Sequence, residues 1–199
     1  MTEGRRATIL VVDDEPAVAD VYAAQLRDRY AVETAYSGEA ALSTLDAAVD
    51  VVLLDRRMPD LSGDEVLSAI REKRHDTRVA MVTAVDPDFD IIEMPFDDYV
   101  PKPVSKEALF QTIEQLLLYA DYEEGLRECY SLTAKHAALE SSKPQAVLDE
   151  SEEFTELKAE LAEVRAELDE LTDSLDATDF ERLFRNFETD ESMPDSTQF

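Results

Sequence analysis

The sequence predicts an α/β protein, a doubly wound five-stranded parallel sheet, followed by an α-helical hairpin. Three observations predict it. Over the first 120 residues short β-branched runs alternate with stretches of helical period. The runs are almost continuously apolar, as strands buried on both faces are. After about Tyr119 the strand signal stops and helical periodicity alone continues.

The strand runs are "TILVV" (8–12), "AVETA" (31–35), "VVLL" (51–54), "RVAMVT" (78–83) and "DYVP" (98–101). Between them, apolar residues recur at helical spacing. One stripe is Ala17, Val18, Val21, Tyr22 and Leu26; a second is Ala40, Ala41, Leu45 and Ala48; a third is Val66, Leu67 and Ile70. After the fifth strand Ser105 is a plausible N-cap for a helix carrying Leu109, Phe110, Ile113, Leu116 and Leu117. One link is weak. "AVDPDFDIIEMPFDDYV" contains Pro87 and Pro95 and has poor periodicity, so a short or irregular segment is expected there.

Beyond Tyr119, a seam of Tyr119, Tyr122, Leu126 and Cys129 extends toward His136 and Leu139, and "SSKP" (141–144) interrupts it. Phe154, Leu157, Leu161, Val164, Leu168, Leu171 and Leu175 then follow at spacing 3, 4, 3, 4, 3, 4, an a/d heptad. Two helices joined by a short break read as an antiparallel hairpin, although the heptad could also serve a dimer. Residues 179–199 hold a short amphipathic piece with Phe180, Leu183, Phe184 and Phe187, then an acidic tail. The expected division is therefore 1–119, 120–178 and 179–199.

The 199-residue chain carries 47 acidic and 19 basic residues, a net −28. Both halves are acidic. Nucleic-acid affinity draws mainly on Lys and Arg neutralising phosphates, so DNA is an unlikely direct partner on charge grounds. An anionic membrane would repel the chain too. At molar salt the Debye length falls to roughly 3 Å and self-repulsion is screened, so the composition reads as salt-adapted. The single cysteine, Cys129, excludes an intrachain disulfide. No run reaches the roughly 18 apolar residues of a membrane span, and the N-terminus does not read as a signal peptide. A cytoplasmic location is expected. His75 and His136 lack Cys or carboxylate neighbours at metal spacing and read as surface or seam residues.

In an open parallel sheet, ligands bind outside the carboxyl ends of the strands. The first strand ends in Asp13-Asp14, the third in Asp55, the fourth in Thr83 and the fifth in Lys102. Each alone has an ordinary explanation: an Asp caps a turn, a Thr is a good β-former, a Lys is a counter-ion. Together, three carboxylates converging on one rim repel one another unless a cation joins them. Oxygen ligands of this kind suit Mg²⁺, which keeps several waters and often works with phosphoryl groups.

The pieces "ILVVDDEP" (9–16), "VVLLDRRMPDLSGDEVL" (51–67), "VTA" (82–84) and "YVPKP" (99–103) resemble the receiver domain of two-component response regulators over roughly residues 7–118. The resemblance implies the strand order 2-1-3-4-5. It makes Asp55 the phosphoacceptor for a sensor histidine kinase. It makes Asp13, Asp14, Asp55 and the backbone carbonyl of Arg57 the Mg²⁺ ligands. Thr83 and Lys102 would contact the phosphoryl oxygens, Tyr99 would be an aromatic switch, and the bond before Pro103 would be cis. Arg57 and Val85 stand where phosphoryl lifetime is tuned in the family. Gly63 and Ala84 keep the neighbourhood small.

The helical part, with its acidic helix pair and "DFERLFRNF" (179–187), resembles the HalX-type domain that follows receivers in haloarchaeal regulators. The leading expectation is a phosphorelay response regulator, modified stoichiometrically rather than turning over substrate, whose helices bind a partner or form a homodimer. The alternatives are a transcriptional regulator acting through the C-terminal part and a Mg²⁺-dependent phosphohydrolase.

Overall fold

The computed structural model describes residues 5–73 and 76–174; the expectations for His75, Leu175 and residues 179–199 lie outside them. The elements run β1 (Thr8–Val12), α1 (Pro16–Leu26), β2 (Ala31–Ala35), α2 (Gly38–Thr44), β3 (Val51–Leu54), α3 (Gly63–Lys73), β4 (Arg78–Thr83), a 3₁₀ segment (Phe89–Glu93), β5 (Asp98–Pro101), α4 (Lys106–Ser142), α5 (Gln145–Asp149) and α6 (Glu152–Ser174). The chain divides into two compact units at Ala120/Asp121.

In the first unit all five strands are parallel, in the order β2-β1-β3-β4-β5. Every residue of β1, β3 and β4 is buried, as a strand covered on both faces must be. Successive side chains alternate between the faces. Leu10, Val12, Val52, Leu54, Val79 and Met81 pack in one cluster with Ala41 of α2 and Val66, Leu67 and Ile70 of α3. Ile9, Val11, Val51, Leu53 and Ala80 are buried on the other face. The turn between α1 and β2 meets the start of α4, with Tyr30 against Phe110 and Arg29 bonded to Glu114.

The α1 stripe is rotated from the one expected. Ala19, Tyr22, Ala23 and Leu26 are buried, whereas Val21 is 53% exposed. Two alanines let the helix sit close to the sheet, and tight packing there outweighs the hydrophobicity of Val21. The weak link between β4 and β5 is a 3₁₀ turn with no buried residue. It is anchored behind by Asp97. That carboxylate accepts from Arg71 Nη2 at 2.5 Å, Arg78 Nη1 at 3.1 Å and the Val79 backbone N–H at 2.7 Å. Arg71 also donates to the carbonyls of Pro95 and Thr77.

In the second unit the heptad packs within the chain. Leu161, Val164 and Leu168 of α6 bury against Leu132 of α4, flanked by Tyr122, Leu126, Cys129 and Leu157. Leu132 is a core residue that the seam pattern missed. His136 stacks on Phe154 at 5.0 Å, a seam position as expected. Leu168 lies over Gly125, and a Cβ there would stand 3.0 Å from its Cδ2. A glycine in mid-helix thus makes room for a leucine.

Candidate functional site

The register of the sheet sets the site. Val12 pairs with Leu54, so Asp13 and Asp55 leave β1 and β3 side by side. Pro101 pairs with Thr83, so Lys102 follows directly beside the end of β4. The backbone ties this rim together: Asp55 N–H donates to Val12 O at 2.9 Å and Lys102 N–H to Thr83 O at 2.8 Å. The Lys102-Pro103 bond is cis, as expected.

Lys102 Nζ lies between the two carboxylates, 2.6 Å from Asp13 Oδ2 and 2.9 Å from Asp55 Oδ1. Their other oxygens accept backbone N–H groups, Asp13 Oδ1 from Glu15 at 2.9 Å and Asp55 Oδ2 from Arg57 at 3.0 Å. The side chains of Asp13 and Asp55 are only 3% and 8% exposed. Burial opposes the charge on Lys102, but its bonds to Asp13 and Asp55 outweigh it and raise its pKa above the ordinary lysine value. Asp14 follows in the chain, partly exposed.

Thr83 is buried at the end of β4. Its Oγ1 accepts the Val85 N–H at 3.3 Å, which leaves the hydroxyl hydrogen available for donation. The carbonyl of the same residue, Val85, accepts from the Tyr99 hydroxyl at 2.7 Å. The backbone of one residue, Val85, therefore links the two residues expected to form the switch. The Tyr99 ring tilts against Phe96, at 5.5 Å between centroids.

Gly63 is required by space. A Cβ on it would stand 2.2 Å from the carbonyl oxygen of Asp55, so only glycine lets α3 begin this close to the acceptor strand. Glu65 completes the start of α3: its carboxylate accepts from the Ser62 N–H and hydroxyl, and Ser62 accepts the Glu65 N–H.

The donor set suits a hard divalent cation. Two close buried carboxylates outnumber the one ammonium between them, leaving negative charge to be neutralised. Among the described residues no three His, Cys, Asp or Glu side chains are disposed to enclose an ion. Mg²⁺ does not need such a cage, since it commonly takes one or two carboxylates and keeps waters.

Sequence reasoning did not find Arg56. Its guanidinium bonds Asp64 and Asp90, and its side chain is 11% exposed. Adjacency to Asp55 was the only signal, because ion pairs between residues 34 positions apart leave no periodic trace.

Two family models match the chain: the response regulator receiver domain over residues 9–114 and the HalX domain over residues 118–184. The chain belongs to the response regulator receiver family. A putative transcriptional regulator of Haloferax volcanii is 51% identical over 154 residues, covering 77% of this chain and 26% of that protein. The transcriptional regulatory protein CutR of Streptomyces coelicolor is 40% identical over 113 residues, 54% of this chain and 52% of CutR. The chain thus spans about a quarter to a half of the length of these relatives. Among solved structures, the BeF3-activated DrrB receiver domain is 33% identical with a TM-score of 0.53, over 56% of this chain and 97% of that one. Among the described residues no helix is long and apolar enough to cross a membrane.

Proposed function

We propose that this chain is a phosphorelay response regulator in which Asp55 accepts a phosphoryl group from a sensor histidine kinase. The observation that carries the reading is Lys102 Nζ held between the buried carboxylates of Asp13 and Asp55 at the carboxyl ends of the central strands. An Asp55 carboxylate oxygen attacks phosphorus, the phosphorus–nitrogen bond of the donor breaks, and the imidazole leaves with the electron pair. The product is an acyl phosphate on Asp55. Such transfers need alignment and charge neutralisation more than proton movement.

In this reading Lys102 pairs with the phosphoryl oxygens, and Thr83 turns its hydroxyl hydrogen toward them. Asp13, Asp14, Asp55 and the Arg57 carbonyl hold Mg²⁺, which when bound neutralises phosphoryl charge. Turning Thr83 disturbs the backbone at Val85 and so loosens Tyr99, the proposed switch. Residues 1–119 form the phosphoacceptor domain and 120–178 the output hairpin, followed by the segment 179–199. The chain is modified once per cycle and does not turn over substrate.

The relatives' names favour an output in transcription. The net charge of −28 favours contact with a protein of the transcription machinery over contact with DNA. A titration with duplex DNA at two salt concentrations checks this; binding at low salt would restore the DNA reading.

The central test is to incubate the protein with Mg²⁺ and acetyl phosphate in concentrated KCl, then measure intact mass. One phosphoryl adduct per chain, absent in Asp55→Asn, is expected. An unmodified wild type, or an unchanged adduct in the variant, would overturn the assignment.

A further inference from the structure

Arg56 follows the proposed acceptor directly, yet its side chain turns to other partners. Nε donates to Asp64 Oδ1 at 3.0 Å and Nη2 to Asp64 Oδ2 at 3.2 Å. The same Nη2 donates to Asp90 Oδ2. Asp64 lies in the first turn of α3 and Asp90 in the first turn of the 3₁₀ segment. The Arg56 carbonyl also accepts the Gly63 N–H at 2.9 Å. One residue thus joins the end of β3, the start of α3 and the 3₁₀ segment.

The burial is lopsided. The cation is covered, while Asp64 and Asp90 are 43% and 56% exposed. Losing Arg56 would return two carboxylates to water, whereas losing both carboxylates would strand a covered cation. Asp64 and then Asp90 raise the arginine's pKa. Serving two carboxylates at once suits a guanidinium fork and not the point charge of lysine. The 3₁₀ segment buries nothing of its own, with Phe89 86% and Ile92 75% exposed, so tethers at its ends govern its position.

We propose that Arg56 is a positioning residue that carries displacement of the acceptor loop, on phosphorylation of Asp55, to the 3₁₀ segment. This rests on Asp55 being the acceptor. Where the segment lacks a helix packed into the core, Arg71 and Asp97 anchor the chain behind it, while the Arg56 guanidinium ties it to the acceptor loop. Its partners are ion pairs that can re-form in a shifted position without leaving a charge buried and alone.

The chain has no tryptophan, so Phe89→Trp places a unique indole on the segment. Acetyl phosphate and Mg²⁺ are added, and adduct mass and indole emission are read on the same sample. Emission should change with phosphorylation in F89W. With Arg56→Gln added, the adduct should reach the same stoichiometry while the emission change falls at least about fivefold. Arg56→Lys should recover only a minor part, and Asp90→Asn should reproduce the loss. Asp90→Asn alters only an exposed partner and decides the matter if Arg56→Gln folds or reacts poorly. An emission change that survives Arg56→Gln and Asp90→Asn at full stoichiometry overturns the proposal. So does F89W emission that ignores phosphorylation. A merely structural arginine would alter the unphosphorylated emission and leave the change on phosphorylation intact, which also overturns it. Absence of any adduct in F89W would instead remove the assignment of Asp55, and this inference with it.

Discussion

Replacing Gly63 by alanine should destabilise the first unit and slow phosphorylation together. The added Cβ would stand 2.2 Å from Asp55 O, 2.8 Å from Arg56 Cα and 3.0 Å from Arg56 O. Every atom it meets is backbone, so no side chain can swing aside. That backbone is pinned on both sides, by Asp55 N–H on Val12 O and by Gly63 N–H on Arg56 O, each at 2.9 Å. Relieving the contact requires the acceptor strand and α3 to separate by roughly 1 Å, given the ordinary distances between non-bonded atoms. Overpacking of this kind costs about 1–3 kcal/mol. Alanine recovers at most about 1 kcal/mol of helix propensity, and less at a first helical residue. A net loss of about 1–2 kcal/mol follows from these two effects. With a urea slope of about 1–3 kcal/mol/M, the unfolding midpoint should fall by roughly 0.3–2 M. Urea titrations followed by circular dichroism in concentrated KCl measure that shift, and intact mass against time measures phosphoryl uptake. A Gly63→Ala protein with the wild-type midpoint and uptake rate would refute this account of the glycine.

Gly125→Ala makes the contrast: its Cβ meets only the flexible end of Leu168 at 3.0 Å, so stability should stay level or rise by up to about 1 kcal/mol, read from the same titrations. Asp97→Ala removes the counter-charge of Arg71 and Arg78, whose side chains are 19% and 10% exposed, and should cost about 3–5 kcal/mol in thermal or urea unfolding. Arg56 holds the Asp90 pKa below the usual carboxylate value of 3.8. The stabilisation from this pair is therefore present above that value and lost as pH falls through the lower folded one. Carboxyl NMR should show the depressed titration of Asp90 return toward normal in Arg56→Gln. Leu161→Ser with Leu168→Ser should reduce helicity while leaving phosphoryl uptake at Asp55 unchanged, because both leucines belong to the core of the second unit.

Much of the fold was legible because its signals are local. All five strand runs coincide with β1 to β5, since apolar β-branched segments bounded by turn residues admit few other structures. The short segment between β4 and β5 was legible from Pro87, Pro95 and missing periodicity. The phase of α1 was not, because ranking by hydrophobicity favours Val21 over Ala19 and Ala23, and only packing against the sheet reveals that small residues fit better. Leu132 escaped for a similar reason, as its partner surface is a helix beginning at Glu152.

By itself, the sequence determined the alternation of strands and helices, the acidic character, and the delivery of Asp13, Asp55, Thr83 and Lys102 to strand ends. Periodicity and composition are properties of short windows, and they survive without a partner. The tertiary structure alone decided that Lys102 lies between Asp13 and Asp55, that the Val85 backbone joins Thr83 to Tyr99, and that Arg56 reaches Asp90. These contacts depend on strand register and on loops meeting across the rim. A pairing between distant residues is set by where the whole sheet places them, and no local pattern encodes it.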